Sequence, residues 1–264
     1  MFAYNSPQGI LLSYHQAGPE HSSFQQILAY PNYILVDYAL ENDFIINGKE
    51  MQEGYFRVSK AKKGPRNINA LNKTTWAFLT VSVPAKIVKE LGIHFKSSSG
   101  IFNLAVIRIL LSLLYPRKNP SPLDDWMEAN INLMLYETMG SKSPNQLNAS
   151  QRLRWHDAVL VHRAVEMLKN HQNPLLLEIK LADKTGLKRY RFQKACRQLY
   201  GISLKEMIYR IKMEETLQMI TLSDRSLKEI SRLAGFNSYD NFITAFRNYF
   251  DVTPALLRKA VFSR

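Results

Sequence analysis

The sequence predicts an α+β chain in which a small β-barrel and accompanying helices precede an all-α domain. Three observations lead to this fold class. Short β-branched and aromatic runs separated by turn signals lie in the N-terminal part, between Phe24 and Val83. Helical periodicity takes over from Pro84. A stretch rich in Ser, Asn, Gly and Pro at 140–150 is followed by a second, denser set of helical signals.

The composition limits the classes of function. The 264 residues carry 35 Lys+Arg against 22 Asp+Glu, a formal charge of +13, and 46% of them are apolar, which suits packed domains. One cysteine excludes an intramolecular disulfide and a multi-cysteine zinc site. The apolar run Ile101–Tyr115 is too short for a membrane span, and no basic residue precedes Lys49 as a signal peptide would require. We expect a cytoplasmic protein that meets a polyanion and no membrane.

The positive charge is unevenly distributed along the chain. Residues 1–152 carry 15 basic and 11 acidic side chains, whereas residues 153–264 carry 20 and 11. We therefore predict a nearly balanced domain over 1–140, a linker over 141–152 and a basic domain over 153–264. Solubilising charge is the alternative explanation of the excess.

The strands of the first domain are predicted from short β-branched and aromatic runs. Asn47-Gly48, which follows the run Phe44–Ile46, is the strongest hairpin signal, because a type I′ turn needs positive φ at both central residues. The other predicted strands are Phe24–Tyr30, Tyr33–Leu40, Tyr55–Ser59 and Trp76–Val83. Several short strands at close spacing predict a small barrel or a sandwich.

Three helices are predicted after Pro84, over Ala85–Leu91, Ile101–Tyr115 and Leu123–Met139. The last of them has apolar residues at helical spacing. Such a stripe packs either into the core or against a second subunit, so a homodimer is one possible assembly.

The basic domain shows about seven helices. They are predicted over His156–Lys169, Leu176–Lys184, Arg189–Tyr200, Leu204 to about Ile220, Leu227 to about Ala234, Tyr239–Phe250 and from Pro254 onward. Ser203–Glu206 and Ser226–Glu229 have the capping-box pattern, in which a hydroxyl and a carboxylate each satisfy a backbone N–H.

Two stretches of this domain share the plan of a short helix, a turn with glycine and a second helix. They are Leu176–Tyr200 with Gly186 and Ser226–Phe250 with Gly235. A helix-turn-helix frees its second helix to enter a DNA major groove. A connecting helix of about 17 residues spans ~25 Å at 1.5 Å per residue. With its flanking turns it could hold two recognition helices about one duplex turn, ~34 Å, apart.

The second stretch resembles the signature of AraC/XylS-type transcription regulators, which reads approximately I-A-x-x-x-G-F-x-S, an aromatic residue, F-K-x-x-F-G, then T-P and R. The matching residues are Glu229–Ser238, Phe242, Phe246–Phe250, Thr253-Pro254 and Arg258. Leu181-Ala182, Gly186, Phe192, Gly201–Ser203 and the helix to Ile220 fit the first half of the family domain.

Four residues depart from that family pattern. Ser231 replaces a usual Ala, and Asp251 replaces a usual Gly. Lys188 stands where the family usually has a Ser cap, the loss of which costs about 1 kcal/mol. Cys196 stands where the family usually has Phe, and either a buried core residue or a redox-active thiolate fits that position.

The resemblance implies a sequence-specific DNA-binding transcription regulator, with activation as the family tendency and RNA polymerase as a further partner. It assigns to the groove Arg189, Tyr190, Gln193, Lys194 and Arg197 of the first recognition helix, and Ser238, Tyr239, Asp240, Ile243, Thr244 and Arg247 of the second. These side chains suit base reading, since Lys and Arg donate to guanine and Gln pairs with adenine. Phosphate contact or plain solvation could explain Lys205, Arg210, Lys212, Arg225 and Lys228.

For the first domain the resemblance implies a cupin-like barrel that senses a small molecule or dimerises. Basic residues near the Gly64-Pro65 break could bind a small anionic effector. They are Lys60, Lys62, Lys63, Arg66 and Lys73. A solvated basic loop, or one that contacts DNA or a protein, is the alternative.

We expect no cofactor, no metal and no catalysis. The six histidines show no H-x-H pairing, and the sequence has no G-x-S-x-G elbow, P-loop or G-x-G-x-x-G. Two alternatives differ in the first domain, which could bind a regulatory protein instead of a metabolite, or could be a cupin-type enzyme tethered to DNA.

Overall fold

The computed structural model describes residues 2–18, 20, 23–27, 32–62, 64–71, 75–115, 122–140, 153–169 and 185–262. The chain divides into two compact units, Met1–Val159 and Leu160–Arg264. The predicted linker 141–152 and the predicted helix Leu176–Lys184 lie outside the described residues.

In the described part of the first unit, ten strands form two antiparallel sheets. They are β1 (Phe2–Asn5), β2 (Leu11–Ala17), β3 (Ser23–Ile27), β4 (Tyr33–Glu41), β5 (Phe44–Ile46), β6 (Lys49–Met51), β7 (Tyr55–Lys60), β8 (Pro65–Ala70), β9 (Trp76–Pro84) and β10 (Ser98–Ile101). One sheet has the order β1-β2-β9-β4-β7-β10 and the other β3-β8-β5-β6. The predicted mixture of sheet and helices is confirmed, but the pairings among the described strands give two open sheets without barrel closure.

The predicted hairpin joins β5 to β6. Asn47 has φ +50° and Gly48 has φ +76°, as a type I′ turn requires, and Ile46 pairs with Lys49 across it. The other predicted β runs overlap β3, β4, β7 and β9, each with an end that differs by at least one residue. The sequence prediction missed β1, β2, β6, β8 and β10. Several of these strands are polar, such as Pro65–Ala70. They form because their backbone groups make hydrogen bonds with neighbouring strands.

An aromatic cluster fills part of the space between the sheets. It contains Ala39, Phe44, Ile46, Met51, Ile68, Trp76 and Phe78, all buried. The Phe78 ring centroid lies 5.3 Å from that of Phe44 in the other sheet and 5.7 Å from that of Trp76. The burial of these rings holds the sheets together.

Helices cover the opposite face of the six-stranded sheet. They are α1 (Ala85–Glu90), α2 (Leu104–Leu114) and α3 (Leu123–Leu135), which continues as a π-helix over Tyr136–Gly140. The predicted start of α2 at Ile101 was three residues early, because Ile101 pairs with Tyr55 in the sheet and Asn103 caps the helix through the N–H of Val106. No helix within the described ranges is long and apolar enough to cross a membrane.

The described residues from 153 onward form six helices. They are α4 (Trp155–Lys169), α5 (Arg189–Tyr200), α6 (Leu204–Leu222), α7 (Leu227–Leu233), α8 (Tyr239–Phe250) and α9 (Pro254–Phe262). The predicted bounds of α5 and α8 are confirmed. The reciprocal capping box at Ser226 is confirmed, but at Ser203 only the hydroxyl half forms. The Glu206 carboxylate there accepts from Arg210 at 2.7 Å instead.

Helix α8 ends at Asp251, which has φ +57° and whose N–H donates to the Arg247 carbonyl at 2.8 Å. The left-handed conformation costs a residue with a Cβ about 1 kcal/mol, and Asp tolerates it better than Ala. We expect Asp251→Ala to lower the free energy of unfolding by about 0.5–1 kcal/mol, and Asp251→Gly to leave it unchanged or raised. Urea denaturation checks this, with Asp224→Ala as a control. Equal stabilities of the Ala and Gly variants would contradict it.

Candidate nucleic-acid interface

A continuous 19-residue helix, α6, separates the two recognition helices of the second unit. At 1.5 Å per residue it is ~28 Å long. The Ser203 hydroxyl caps its first turn by accepting from the Glu206 N–H at 3.1 Å. This length confirms a long connecting helix and extends it two residues beyond the predicted end at Ile220.

Recognition helix α5 has one buried and one exposed face. Phe192, Ala195, Cys196 and Leu199 are buried. Arg189, Tyr190, Gln193 and Arg197 are exposed on the other side, and Lys194 beside them is half-buried. Tyr190 keeps 73% of its surface accessible. The helical period thus gathers the predicted base-reading set on one face.

Two residues that depart from the family pattern, Lys188 and Cys196, lie at the start and in the core of α5. Lys188 makes no side-chain cap hydrogen bond, while Gly186 takes φ +67° in the turn. Cys196 is buried, and this burial raises the pKa of its thiol to about 11, so that it packs as a core residue and holds no reactive thiolate. Tyr200 at the end of α5 shares a 2.9 Å hydrogen bond with His162 of α4.

The second helix-turn-helix consists of α7, a turn at Gly235 (φ +68°) and α8. The Ser226 box that begins α7 lowers the pKa of Glu229, because its carboxylate accepts from the backbone and side chain of Ser226. Phe242 and Phe246 are buried, and Phe236 and Phe250 pack against them. The predicted core role of these four phenylalanines is confirmed.

The predicted base-reading set of α8 divides into two groups. Asp240, Thr244 and Arg247 are exposed. Tyr239 and Ile243 are half-buried and pack against the phenylalanine core. The Ser238 hydroxyl accepts from the Asn241 N–H at 3.1 Å and thereby caps the helix.

Three exposed side chains near these faces were missed by the sequence analysis: Arg191, Asn241 and Asn248. Asn248 lies one helical turn after Thr244, and asparagine can pair with adenine through two hydrogen bonds. Helical spacing from the predicted set could have identified it.

Lys212 of α6 contacts the turn at Gly235 in the second helix-turn-helix. Its Nζ lies 3.6 Å from the Phe236 ring centroid and donates to the Gly235 carbonyl at 3.3 Å. Burial lowers the pKa of Lys212. Since Phe236 packs on Phe242 of α8, with ring centroids 5.4 Å apart, Lys212 connects α6 to the recognition helix.

Arg258 of α9 holds the other end of α6. Its guanidinium donates to the carbonyls of Ser223 at 3.4 Å, Ile220 at 3.5 Å and Arg225. The last carbonyls of a helix lack partners within it, so this contact satisfies acceptors where α6 gives way to α7.

The remaining members of the predicted phosphate-contact set are on the surface. Lys205, Arg225 and Lys228 are exposed, whereas Arg210 is paired with Glu206 on α6.

The predicted effector set is divided by the structure. Arg66 lies in β8 and is buried, with its Nη2 2.5 Å from Asp37 Oδ2 of the other sheet. Lys60 and Lys62 are exposed, and the Lys60 Nζ lies 5.5 Å from the Phe95 ring centroid. Lys63 and Lys73 lie outside the described residues.

Comparisons with known proteins find sequence matches to part of the chain. A family model described as a helix-turn-helix domain matches residues 181–260. The multiple antibiotic resistance protein MarA of Escherichia coli is 30% identical over 99 residues, which are 37% of this chain and 77% of MarA. The Msm operon regulatory protein of Streptococcus mutans is 32% identical over 81 residues, 31% of this chain and 29% of that protein.

Among solved structures, ToxT from Vibrio cholerae aligns over 97% of this chain and 99% of its own, with 11% identity and a TM-score of 0.35. The MarA match covers most of that relative. The chain belongs to the AraC/XylS-type family of helix-turn-helix DNA-binding transcription regulators.

Proposed function

We propose that this regulator reads two successive major grooves on one side of a DNA duplex, one with α5 and one with α8. The observation that carries the proposal is the pair of exposed helix faces joined by the uninterrupted α6. Its ~28 Å length, together with the flanking turns, suits a spacing of about one duplex turn. Because one chain would supply both helices, the target needs no palindrome.

The readers on the two helices differ in chemistry. On α5, Arg189, Gln193 and Arg197 suit guanine and adenine edges. On α8, Asp240 accepts from cytosine N4 but repels phosphate, and Ile243 suits a thymine methyl group. Exposed Lys205, Arg225 and Lys228 would contact phosphates and supply affinity that depends on salt.

We assign regulation to residues 1–140, with 141–152 as a linker and 153–264 as the DNA-binding domain. The two sheets would form a cupin-like sensor of a small anionic effector. Helix α3 leaves Leu133 50% exposed and the π-helix after it leaves Tyr136 58% exposed, a face that a second copy of the chain could cover. The protein would act in the cytoplasm as an activator that contacts RNA polymerase. A regulatory protein in place of the effector is the alternative.

Variants of the two recognition helices test the two-groove proposal. Gln193→Ala should weaken binding through one element of the site and Thr244→Ala through another element about one helical turn away, by about 1–3 kcal/mol for a bidentate contact and less for a single one. Selection of bound genomic sites, followed by titration of each variant against sites mutated in one element, measures this. Glu214→Ala, on the exposed side of α6, is the control. If both variants affect the same element, the proposal is wrong.

The salt dependence of binding tests the phosphate contacts. If about eight phosphates are neutralised, log K should fall against log[salt] with a slope near −7. Fluorescence anisotropy with a selected duplex between about 50 and 200 mM salt gives this slope. A slope shallower than about −2 is incompatible with two grooves held by lysine and arginine contacts.

Lys212 is expected to act through the protein and not through phosphate. Lys212→Met should lower the free energy of unfolding by about 1–2 kcal/mol, because a cation–π contact and a hydrogen bond are lost. It should weaken binding at the Thr244 element while the salt slope stays constant. Lys228→Met is the matched comparison, and its slope should become shallower by about 0.9. Unchanged stability with a shallower slope for Lys212→Met would make Lys212 a phosphate contact.

A further inference from the structure

We propose that Arg57 and the polar residues beside it, between the two sheets of the first unit, bind the oxyanion of a small molecule, either a carboxylate or a phosphate. This site differs from the surface lysines near Gly64-Pro65. Its regulatory meaning rests on the proposed sensing role of residues 1–140, whereas the binding itself can be measured independently.

The strand register forms a polar row across the six-stranded sheet. The directly paired residues are Ser13, Thr80, Asp37, Arg57 and Ser99, on β2, β9, β4, β7 and β10. Paired residues of antiparallel strands point to the same face. Asp37 faces the other sheet, because Arg66 of β8 reaches it. Arg57 therefore faces the space between the sheets as well.

Both carboxylate oxygens of Asp37, the acidic residue in this row, already accept hydrogen bonds from protein groups. Asp37 is fully buried, its Oδ2 accepts from Arg66 Nη2 at 2.5 Å and its Oδ1 accepts from the Thr80 hydroxyl at 2.8 Å. Arg57, next to it on β7, makes no hydrogen bond or ion pair with any residue in the described part of the chain. Five N–H donors are thus held at the edge of an interior without a protein acceptor.

The surroundings of Arg57 disfavour its charge. Burial lowers the pKa of Arg57; Asp37 opposes this effect and Arg66 adds to it. His15, stacked on Phe78 with ring centroids 4.8 Å apart, adds no charge near neutral pH, because burial lowers its pKa to about 4. Arg57 and Arg66 are cations and Asp37 is an anion, so these three groups together carry one positive charge in excess. A bound oxyanion would balance this charge and accept two parallel hydrogen bonds from Arg57.

The shape of the cluster gives the direction of approach. Asp37, Arg66 and Thr80 are at most 5% exposed, whereas Arg57 is only half-buried. A ligand from solvent would therefore meet Arg57 first. Along the sheet, the aromatic cluster around Phe78 lies on one side of the row. On the other side, Ser82 and Ser59 pair with Leu35 of β4 and provide hydroxyls close to the row.

A purely structural role accounts for Arg66 but not for Arg57. The Asp37–Arg66 pair links the two sheets, and removal of one partner would leave a buried charge. A second guanidinium adds desolvation cost and repulsion from Arg66, which its attraction to Asp37 offsets only in part, and no described residue accepts a hydrogen bond from it. An acceptor supplied from outside the protein accounts for its position.

Thermal unfolding of the full chain with two simple anions as probes tests the site. Inorganic phosphate and acetate are titrated separately at constant ionic strength, with chloride as the balancing ion. Wild type should show a saturable rise in Tm with at least one probe. Arg57→Gln should weaken the apparent affinity at least fivefold, and Arg57→Lys should be intermediate, since a lysine keeps the charge but not the planar fork.

Lys89→Gln is the matched control, because it removes one positive charge from an exposed position of the same unit, on α1. It should respond as wild type does. Without added anion, Arg57→Gln should unfold no earlier than wild type, which excludes misfolding as the cause of a lost response. A response to phosphate alone or to acetate alone supports the site and identifies the oxyanion.

Equal saturable responses in wild type, Arg57→Gln and Lys89→Gln would overturn the proposal, as would a wild type that responds to neither probe. DNA affinity is measured in the same buffers as a separate quantity. Loss of DNA binding would therefore count against the two-groove proposal, and loss of the anion response against the Arg57 site.

Discussion

The contact of Arg258 with the end of α6 is the interaction on which the geometry of the DNA-binding unit depends. A helix that connects two recognition helices fixes the distance between them only if other residues hold both of its ends in place. Ser203 caps the first turn of α6, and Arg258 of α9 occupies the carbonyls at its end. Lys212 then fastens the turn before α8 to the side of the same helix. Because these contacts converge on one rigid element, the second recognition helix is oriented by packing within the unit.

In the first unit, the two faces of the six-stranded sheet lie in different environments. The helix-facing side of β4 is apolar, and there Tyr38 packs against Phe102 and its hydroxyl shares a 3.3 Å hydrogen bond with Thr138. The opposite side changes along the strand from aromatic residues to the polar row of Asp37. A sheet built for stability alone would continue the apolar surface. The polar row is thus where this unit departs from simple packing, and such departures concentrate at functional sites.

The sequence predicted the DNA-binding unit more closely than the sheets, and the reason is physical. Helices α5 and α8 are bounded by local signals, such as Gly201 in the left-handed conformation and the Ser238 cap, which lie within a few residues of the elements they end. Strands β8 and β10 depend on partners far away in the chain, so a polar segment such as Pro65–Ala70 carries no local sign of its pairing. Likewise, proximity in sequence grouped Arg66 with the lysines near Gly64-Pro65. Only its contact with Asp37 of the other sheet shows that Arg66 is buried.

The two recognition helices begin differently, and under the two-groove proposal this difference would affect how the protein chooses its sites. Helix α8 starts at a serine whose hydroxyl accepts from the backbone, whereas α5 starts at Lys188 without a side-chain cap. An uncapped first turn frays more readily and can adjust to the bases that it meets. Natural target promoters should therefore vary more in the half-element read by α5 than in the one read by α8. The range of promoters that the protein binds would then depend on the absence of a capping hydroxyl group at position 188, before α5.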